Sequence, residues 1–314
     1  MTTRARLAHC VTSALPQGMR TVLWLLKLTI PVSFGVFLLN FFGLLNVIGT
    51  WLSPLFRMIG LPGQASVVLI TSIFTNIYSV IAVMATLDFG LREGTIIAVM
   101  CLISHALIVE TAIQKKTGSH PVRMVLTRLS GSFIAAWILN LLLPGESTTG
   151  AENVVNQAVA FMPALTDWAL SMAITTLKIV VLANGLLILQ KALDEFNLIK
   201  WILLPFRPFL KIMGLPANTG FLWMIAYTLG LSYGGAIMIS QSEDGKLSRE
   251  EADLLNHHIA ISHSLLEDTL LFVAVGYSFM ILFFTRVLLS IVYVWGRRME
   301  LQFRSRQWAV ASDQ

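Results

Sequence analysis

Eight apolar segments, four in each half of the chain, leave room for one kind of architecture. They run at about 21–46, 64–89, 93–114 and 122–143, then 167–192, 216–240, 251–275 and 276–296. A helix needs about 20 mostly apolar residues to cross the hydrocarbon of a bilayer. Barrel strands alternate apolar with polar instead, so an all-α integral membrane protein is expected. Of 314 residues 56% are hydrophobic and 12% charged, against about a quarter charged in a soluble domain. That excludes a soluble enzyme, a nucleic-acid binder and a disordered chain, and makes the lipid bilayer the first partner. The net charge of +5 reads as loop charge on the cytoplasmic side. Cys10 and Cys101 offer no disulfide framework. Residues 1–20 lack the apolar core of a secretory signal, so the run from Thr21 reads as a retained first span.

The two halves repeat one another. Pro54-Leu55-Phe56-Arg57-Met58-Ile59-Gly60-Leu61-Pro62 aligns with Pro208-Phe209-Leu210-Lys211-Ile212-Met213-Gly214-Leu215-Pro216 at an offset of 154. Ser104-His105-Ala106-Leu107 aligns with Ser262-His263-Ser264-Leu265 at 158, which also carries Glu110 to Asp268 and Thr127-Arg128 to Thr285-Arg286. Matched Pro, His, acid and Arg positions at fixed offset mark a duplication. Between the first two segments of each half lie amphipathic stretches, 49–60 and 199–213. They read as interfacial helices broken by Pro54 and Pro208.

Loop charge decides the topology. If all eight segments crossed, Lys115, Lys116 and Arg123 would lie outside while Arg297, Arg298, Arg304 and Arg306 stayed inside, against the positive-inside rule. If 64–89 and 216–240 are re-entrant hairpins, nearly every Lys and Arg becomes cytoplasmic and only Arg57 and Arg92 are clearly outside. Both segments have polar or glycine-rich middles, Thr75-Asn76-Ile77-Tyr78-Ser79 and Gly230-Leu231-Ser232-Tyr233-Gly234-Gly235. Irregular backbone at that depth needs protein or water around it. Three crossings per half give the halves opposite orientation, an inverted repeat of the kind common in secondary transporters. The expected division is a cytoplasmic segment 1–20, a first repeat 21–145 with hairpin 64–89, an extracytoplasmic linker 146–166, a second repeat 167–297 with hairpin 216–240, and a cytoplasmic tail 298–314.

Pro31, the Gly60–Pro62 turn, Asn76 and Tyr78, the Ser104-His105…Glu110 segment and Arg128 together resemble the Gate, or nucleoside-recognition, domain. That domain is known from spore maturation proteins A and B and the membrane part of ferrous-iron transporter B, and by distant similarity from concentrative nucleoside transporters. The second half departs from the pattern at Gly230, which stands where Asn76 does, but keeps the Gly-Leu-Pro turn, His263 and Asp268. The resemblance implies two hairpins meeting near the bilayer midplane, and a nucleoside substrate only by analogy.

Ionisable groups deep in a membrane are functional candidates by default. His105, Glu110, His263, Glu267 and Asp268, with the hairpin polars Asn76, Tyr78, Ser232 and Tyr233, are the expected substrate or ion site, and Lys178, Arg128 and Arg286 the supporting charges. Under inverted symmetry His105 and His263 approach across the pseudo-two-fold, with Glu110 and Asp268 flanking. The structural alternative is that the carboxylates tie down hairpin amides or pair with Arg128 and Arg286. Arg286 is expected to pair with a carboxylate, Arg128 to be interfacial, and His257-His258 to be a solvated pair. No H-x-x-H or C-x-x-C spacing is present, so neither metal nor cofactor is expected, and no catalytic signature marks an enzyme. The expectation is a multi-pass secondary transporter of the bacterial cytoplasmic membrane with both termini inside. It moves a small polar solute, with a proton or cation as coupling ion, and forms homo-oligomers. A metal-ion permease and a non-transporting scaffold are the alternatives.

Overall fold

The computed structural model describes residues 3–87, 89–145, 160–196 and 208–312, and the regular elements among them are helices. The first half holds α1 (Thr3–Phe41), α2 (Leu44–Arg57), α3 (Ala65–Phe74), α4 (Ile77–Met84), α5 (Leu91–Ser104), α6 (Leu107–Lys116) and α7 (Pro121–Leu142). The second holds α8 (Phe161–Glu195), α9 (Gly220–Glu243), α10 (Arg249–Ser262), α11 (Leu265–Ala274) and α12 (Phe279–Ser312). Four stretches of the described residues are long and apolar enough to cross a membrane: Leu91–Lys116, Pro121–Leu142, Phe161–Val181 and Phe279–Phe303.

The outer pair α1 and α8 is antiparallel. Arg6 Nε meets Glu195 Oε1 at 2.8 Å at one end, and the Phe41 and Phe161 rings sit 5.1 Å apart at the other. Helix α1 starts at Thr3 rather than near residue 21, because Cys10, Ala14 and Val22 extend one buried stripe at helical spacing. At the far end of the chain α12 likewise carries the last span on to Ser312. Pro54 does not break the interfacial stretch: α2 runs through it to Arg57. The ring falls in the last turn, where losing one amide bond leaves little helix to disrupt. Of the partner stretch 199–213, residues 199–207 lie outside the described residues.

Helices α3 and α4 are separated by Thr75 (φ −128°, ψ −171°) and Asn76 (φ −94°, ψ 170°), both extended. The chain enters α3 and leaves α4 at the same end of the molecule. There Arg92, at the start of α5, donates to the carbonyls of Gly60 at 3.4 Å and Asn140 at 3.0 Å. Helix α9 folds back in the same way at Gly230, whose φ of 80° and ψ of 172° suit a residue without Cβ. Gly234 on the returning limb packs on Ala226, and a Cβ there would stand 3.1 Å from the Ala226 Cα. Both ends of α9 lie together: Asn218 donates to Glu251 at 2.7 Å and Arg298 to the Gly214 carbonyl at 2.7 Å.

The apolar segments 93–114 and 251–275 are not continuous helices. Each is broken after its histidine, between α5 and α6 and between α10 and α11, by a left-handed residue: Ala106 (φ 47°, ψ 33°) and Ser264 (φ 46°, ψ 35°). The hairpins supply the reason. The Ala106 N–H donates to the Ser72 carbonyl at 2.9 Å and the Thr75 carbonyl at 2.8 Å, and the Ser264 N–H donates to the Ala226 carbonyl at 2.9 Å. A carbonyl from outside the helix replaces the partner that the helix would have provided.

Candidate functional site: a buried charged centre

A helix that stops inside a protein leaves its last carbonyls without amide partners. Arg128, from α7, covers those of α5, donating Nε to the Ile103 carbonyl at 2.7 Å and Nη2 to the His105 carbonyl at 2.6 Å. Arg286, from α12, does the same for α10, with Nε 3.1 Å from the Ile261 carbonyl and Nη2 on the His263 carbonyl. Both guanidiniums are fully buried. A cation at a helix C-terminus and an acid in the next helix's first turn each oppose the sign of the helix dipole. Glu110 stands in the first turn of α6, and Glu267 with Asp268 in that of α11.

These charges meet at the histidines. His105 Nε2 and His263 Nε2 are 3.3 Å apart, with ring centres 4.9 Å apart. Glu110 Oε2 lies 3.0 Å from His263 Nε2 and 2.7 Å from Arg128 Nη1. His105 Nε2 lies 3.5 Å from both Asp268 Oδ2 and Glu110 Oε1. Each ring is held by its own helix, His105 Nδ1 at 3.2 Å from the Cys101 carbonyl and His263 Nδ1 at 2.8 Å from that of Ile259. Tyr78, on α4, donates to Glu267 Oε1 at 3.3 Å. Gly235, on the returning limb of α9, lies so close to Ile113 of α6 that a Cβ would collide. The returning limb of each hairpin therefore leans on a half-helix of the other half.

The structure brings His105, Glu110, His263 and Asp268 into one cluster with Arg128, and joins Glu267 to it through α11 and to the first hairpin through Tyr78. Asn76 stands apart as the cap of α4, accepting from the Ser79 amide at 3.1 Å. Ser232, Tyr233 and Lys178 lie on α9 and α8, with side chains outside the described residues. Three expectations are corrected. Arg128 is buried and ion-paired rather than interfacial. Arg286 donates to two backbone carbonyls, and no carboxylate stands within ion-pair distance among the described residues. His257 and His258 are buried rather than solvated, because the face of α10 that carries them packs inward. His257 Nδ1 is 2.7 Å from the Asp253 carbonyl, and His258 contacts the hydroxyls of Ser262 at 3.0 Å and Ser290 at 3.1 Å.

Sequence reading missed a second polar knot at the other end of α10. Asp253 binds Arg297 Nε and the Ser119 hydroxyl, each at 2.7 Å, and Asn256 donates to Thr117 at 2.7 Å and Ser119 at 2.9 Å. The spacing of Asp253 and Asn256, three apart on one helical face, was its only signal.

This is a helical membrane protein built around a buried charged centre. Residues 22–118, from within α1 to the loop after α6, match the family model described as Gate, nucleoside recognition. The Bacillus subtilis (strain 168) protein titled "Uncharacterized membrane protein YvoD" is 26% identical over 272 residues, covering 84% of this chain and 86% of that one. No solved structure matches significantly. The family match stops short of Arg128, and the second half is tied to the first by the internal repeat.

Proposed function

We propose that the protein is a secondary transporter of the bacterial cytoplasmic membrane that moves a small polar solute by alternating access, coupled to a proton or cation. Its halves form an inverted repeat of two Gate-like units, each with three crossings, one re-entrant hairpin and an interfacial helix. Helices α1 and α8, which correspond in the repeat, run antiparallel, and this supports the reading. So does the packing of the loop after α6 on the start of α10, through Ser119 and Asp253, while the loop after α11 packs Tyr277 on Gly94 at the start of α5. Corresponding loops thus lie at opposite ends. Lys115, Lys116, Arg249, Arg297 and Arg298 gather at one end, which the positive-inside rule makes cytoplasmic.

The observation that carries the proposal is the His105–His263 contact, made by equivalent residues of the two halves and enclosed by acids and arginines. Buried charge of this kind is expensive in a membrane, and at a seam between two units it gives a centre whose access can alternate. The description of the Gate family makes nucleosides the first solutes to try. No catalytic chemistry is assigned, and the transporter works as a homo-oligomer in the bilayer. The test is uptake of labelled nucleosides, amino acids and organic acids into proteoliposomes. Uptake by the wild type, abolished in Glu110→Gln with Asp268→Asn, is the expected result. Uptake unchanged by those substitutions removes the cluster from the mechanism. A folded wild type that moves none of these solutes favours a scaffold.

A further inference from the structure

The protonation of the two histidines can be read from their partners. A carbonyl only accepts, so His105 Nδ1, facing Cys101, and His263 Nδ1, facing Ile259, each carry the ring hydrogen. The neutral rings therefore turn both Nε2 lone pairs toward each other, 3.3 Å apart. Glu110 Oε2 stands 3.0 Å from one and Asp268 Oδ2 3.5 Å from the other. Asp268 is 5% exposed, and its Oδ2 has no hydrogen-bond donor among the described residues. The acceptor atoms of His105, His263 and Asp268 all lie within 4.8 Å of one another, and such a set is stable around a cation.

The geometry selects the kind of cation. Donor separations of 3.3 and 3.5 Å are those between corners of a tetrahedron whose centre lies about 2.0–2.1 Å away, the usual bond length from zinc to imidazole or carboxylate, with the fourth corner left to a further ligand. A shared proton would call for a collinear N–H···N bridge. The ring centres are instead 4.9 Å apart with planes inclined at 40°, closer than a collinear bridge across 3.3 Å would leave them, so the two rings do not meet head-on. Metal-bound histidines characteristically donate their other ring N–H to a carbonyl or carboxylate, as both do here. Asp268, with Glu110 beside it, balances a dication, and Arg128 holds Glu110 in place at 2.7 Å.

We propose that His105, His263 and Asp268 bind one divalent transition-metal ion of the zinc class at the seam between the halves, with Glu110 beside it. The ligands come from both halves, one from the first and two from the second, which is why no metal-binding spacing is visible along the chain. This deepens the transport reading by naming what the centre holds, and it rests on that reading only for the ion's role in transport.

The full-length protein, purified in detergent and stripped with a chelator, is titrated with Co²⁺ and then Zn²⁺. One equivalent of Co²⁺ is expected, with the strong visible absorption of a tetrahedral site, displaced by Zn²⁺. His105→Gln and Asp268→Asn should each weaken binding by more than the roughly 10–100-fold lost with an outer-shell partner. Glu251→Gln, in the cap of α10, should leave binding unchanged. Gel filtration of every variant checks that it is folded. Co²⁺ binding no better than in folded His105→Gln with His263→Gln, or a weak octahedral spectrum, overturns the site. Solute uptake with no metal bound also overturns it and leaves transport standing; metal bound without uptake of any solute upholds it and removes transport.

Discussion

Arg128 donates to the carbonyl of His105 at 2.6 Å while its other terminal nitrogen holds Glu110 at 2.7 Å. One side chain thus closes the end of α5 and fixes the acid that opens α6, so the helix break and the charged centre form one construction. Arg286 repeats half of it. It closes α10 on the Ile261 and His263 carbonyls, but no carboxylate stands within ion-pair distance of it among the described residues.

Removing Arg128 should be costly. Arg128→Leu leaves Glu110 buried and uncompensated as well as two bare carbonyls, a loss of about 3–5 kcal/mol by the usual scale for a broken buried pair. Arg128→Leu with Glu110→Leu should recover a good part of it, since no lone charge remains. A double-mutant cycle on thermal unfolding in detergent measures the coupling. Losses that simply add would mean that the 2.7 Å pair carries no net energy.

Asp268 is one methylene shorter than its counterpart Glu110, and only Glu110 reaches its arginine. Asp268→Glu is therefore expected to bridge to Arg286 and to raise the unfolding temperature, by an amount corresponding to roughly 1 kcal/mol for a charged hydrogen bond. The same reach would draw the carboxylate away from His105. Stability and function should then move in opposite directions, with uptake and metal binding both falling.

The sequence made much of this legible, and the reasons are physical. The repeat could be read because Ser104-His105 and Ser262-His263 are polar marks on an apolar background, and the chemistry they serve recurs 158 residues later. The helix breaks could not. Sequence reading finds breaks through Gly and Pro, whereas here Ala106 and Ser264 take left-handed backbone because a neighbouring hairpin offers carbonyls. Arg128 was misplaced for the same reason, since its burial follows from carbonyls that only a broken α5 exposes. His257 and His258 were misread because charge near a helix start suggests solvent, while the inward face of α10 is set by packing against α7 and α12.

The left-handed residues give a local check. A non-glycine residue at φ 47° carries about 1–2 kcal/mol of backbone strain. Ala106→Gly relieves it but frees the unfolded chain, so it should change stability by less than about 1 kcal/mol. Ala106→Val places a β-branched residue where such residues are rare and should destabilise well beyond that. Equal effects from glycine and valine would show that residue 106 does not hold this turn in the membrane.

Ser248 and Glu251 cap α10 outside the membrane, each side chain bonded to the other residue's backbone N–H, at 3.3 Å and 2.9 Å. Hydrogen bonds from the Ser248 amide and hydroxyl hold the Glu251 carboxyl below its ordinary pKa of 4.5. A depressed carboxylate contributes its stability above the unfolded value, and that share fades as pH falls from about 4.5 through the folded value. Glu251→Gln should lose roughly 0.5–1 kcal/mol at neutral pH. Its deficit should shrink below pH 4.5, which unfolding curves at pH 7 and pH 4 would detect.

The opposed orientation of the halves is open to direct chemical measurement. Lys116 ends α6 and Ala274 ends α11, equivalent positions at the 158 offset and both exposed. If the hairpins turn back within the bilayer, these two residues face opposite sides of the membrane. If every apolar segment crossed, each half would hold an even number of spans and the two residues would share a side. With Cys10 and Cys101 replaced by alanine, Lys116→Cys should react with a membrane-impermeant maleimide only in inverted vesicles. Ala274→Cys should react only in intact spheroplasts. Labelling of both from one side would rule out the inverted repeat, and with it a central seam between oppositely oriented units.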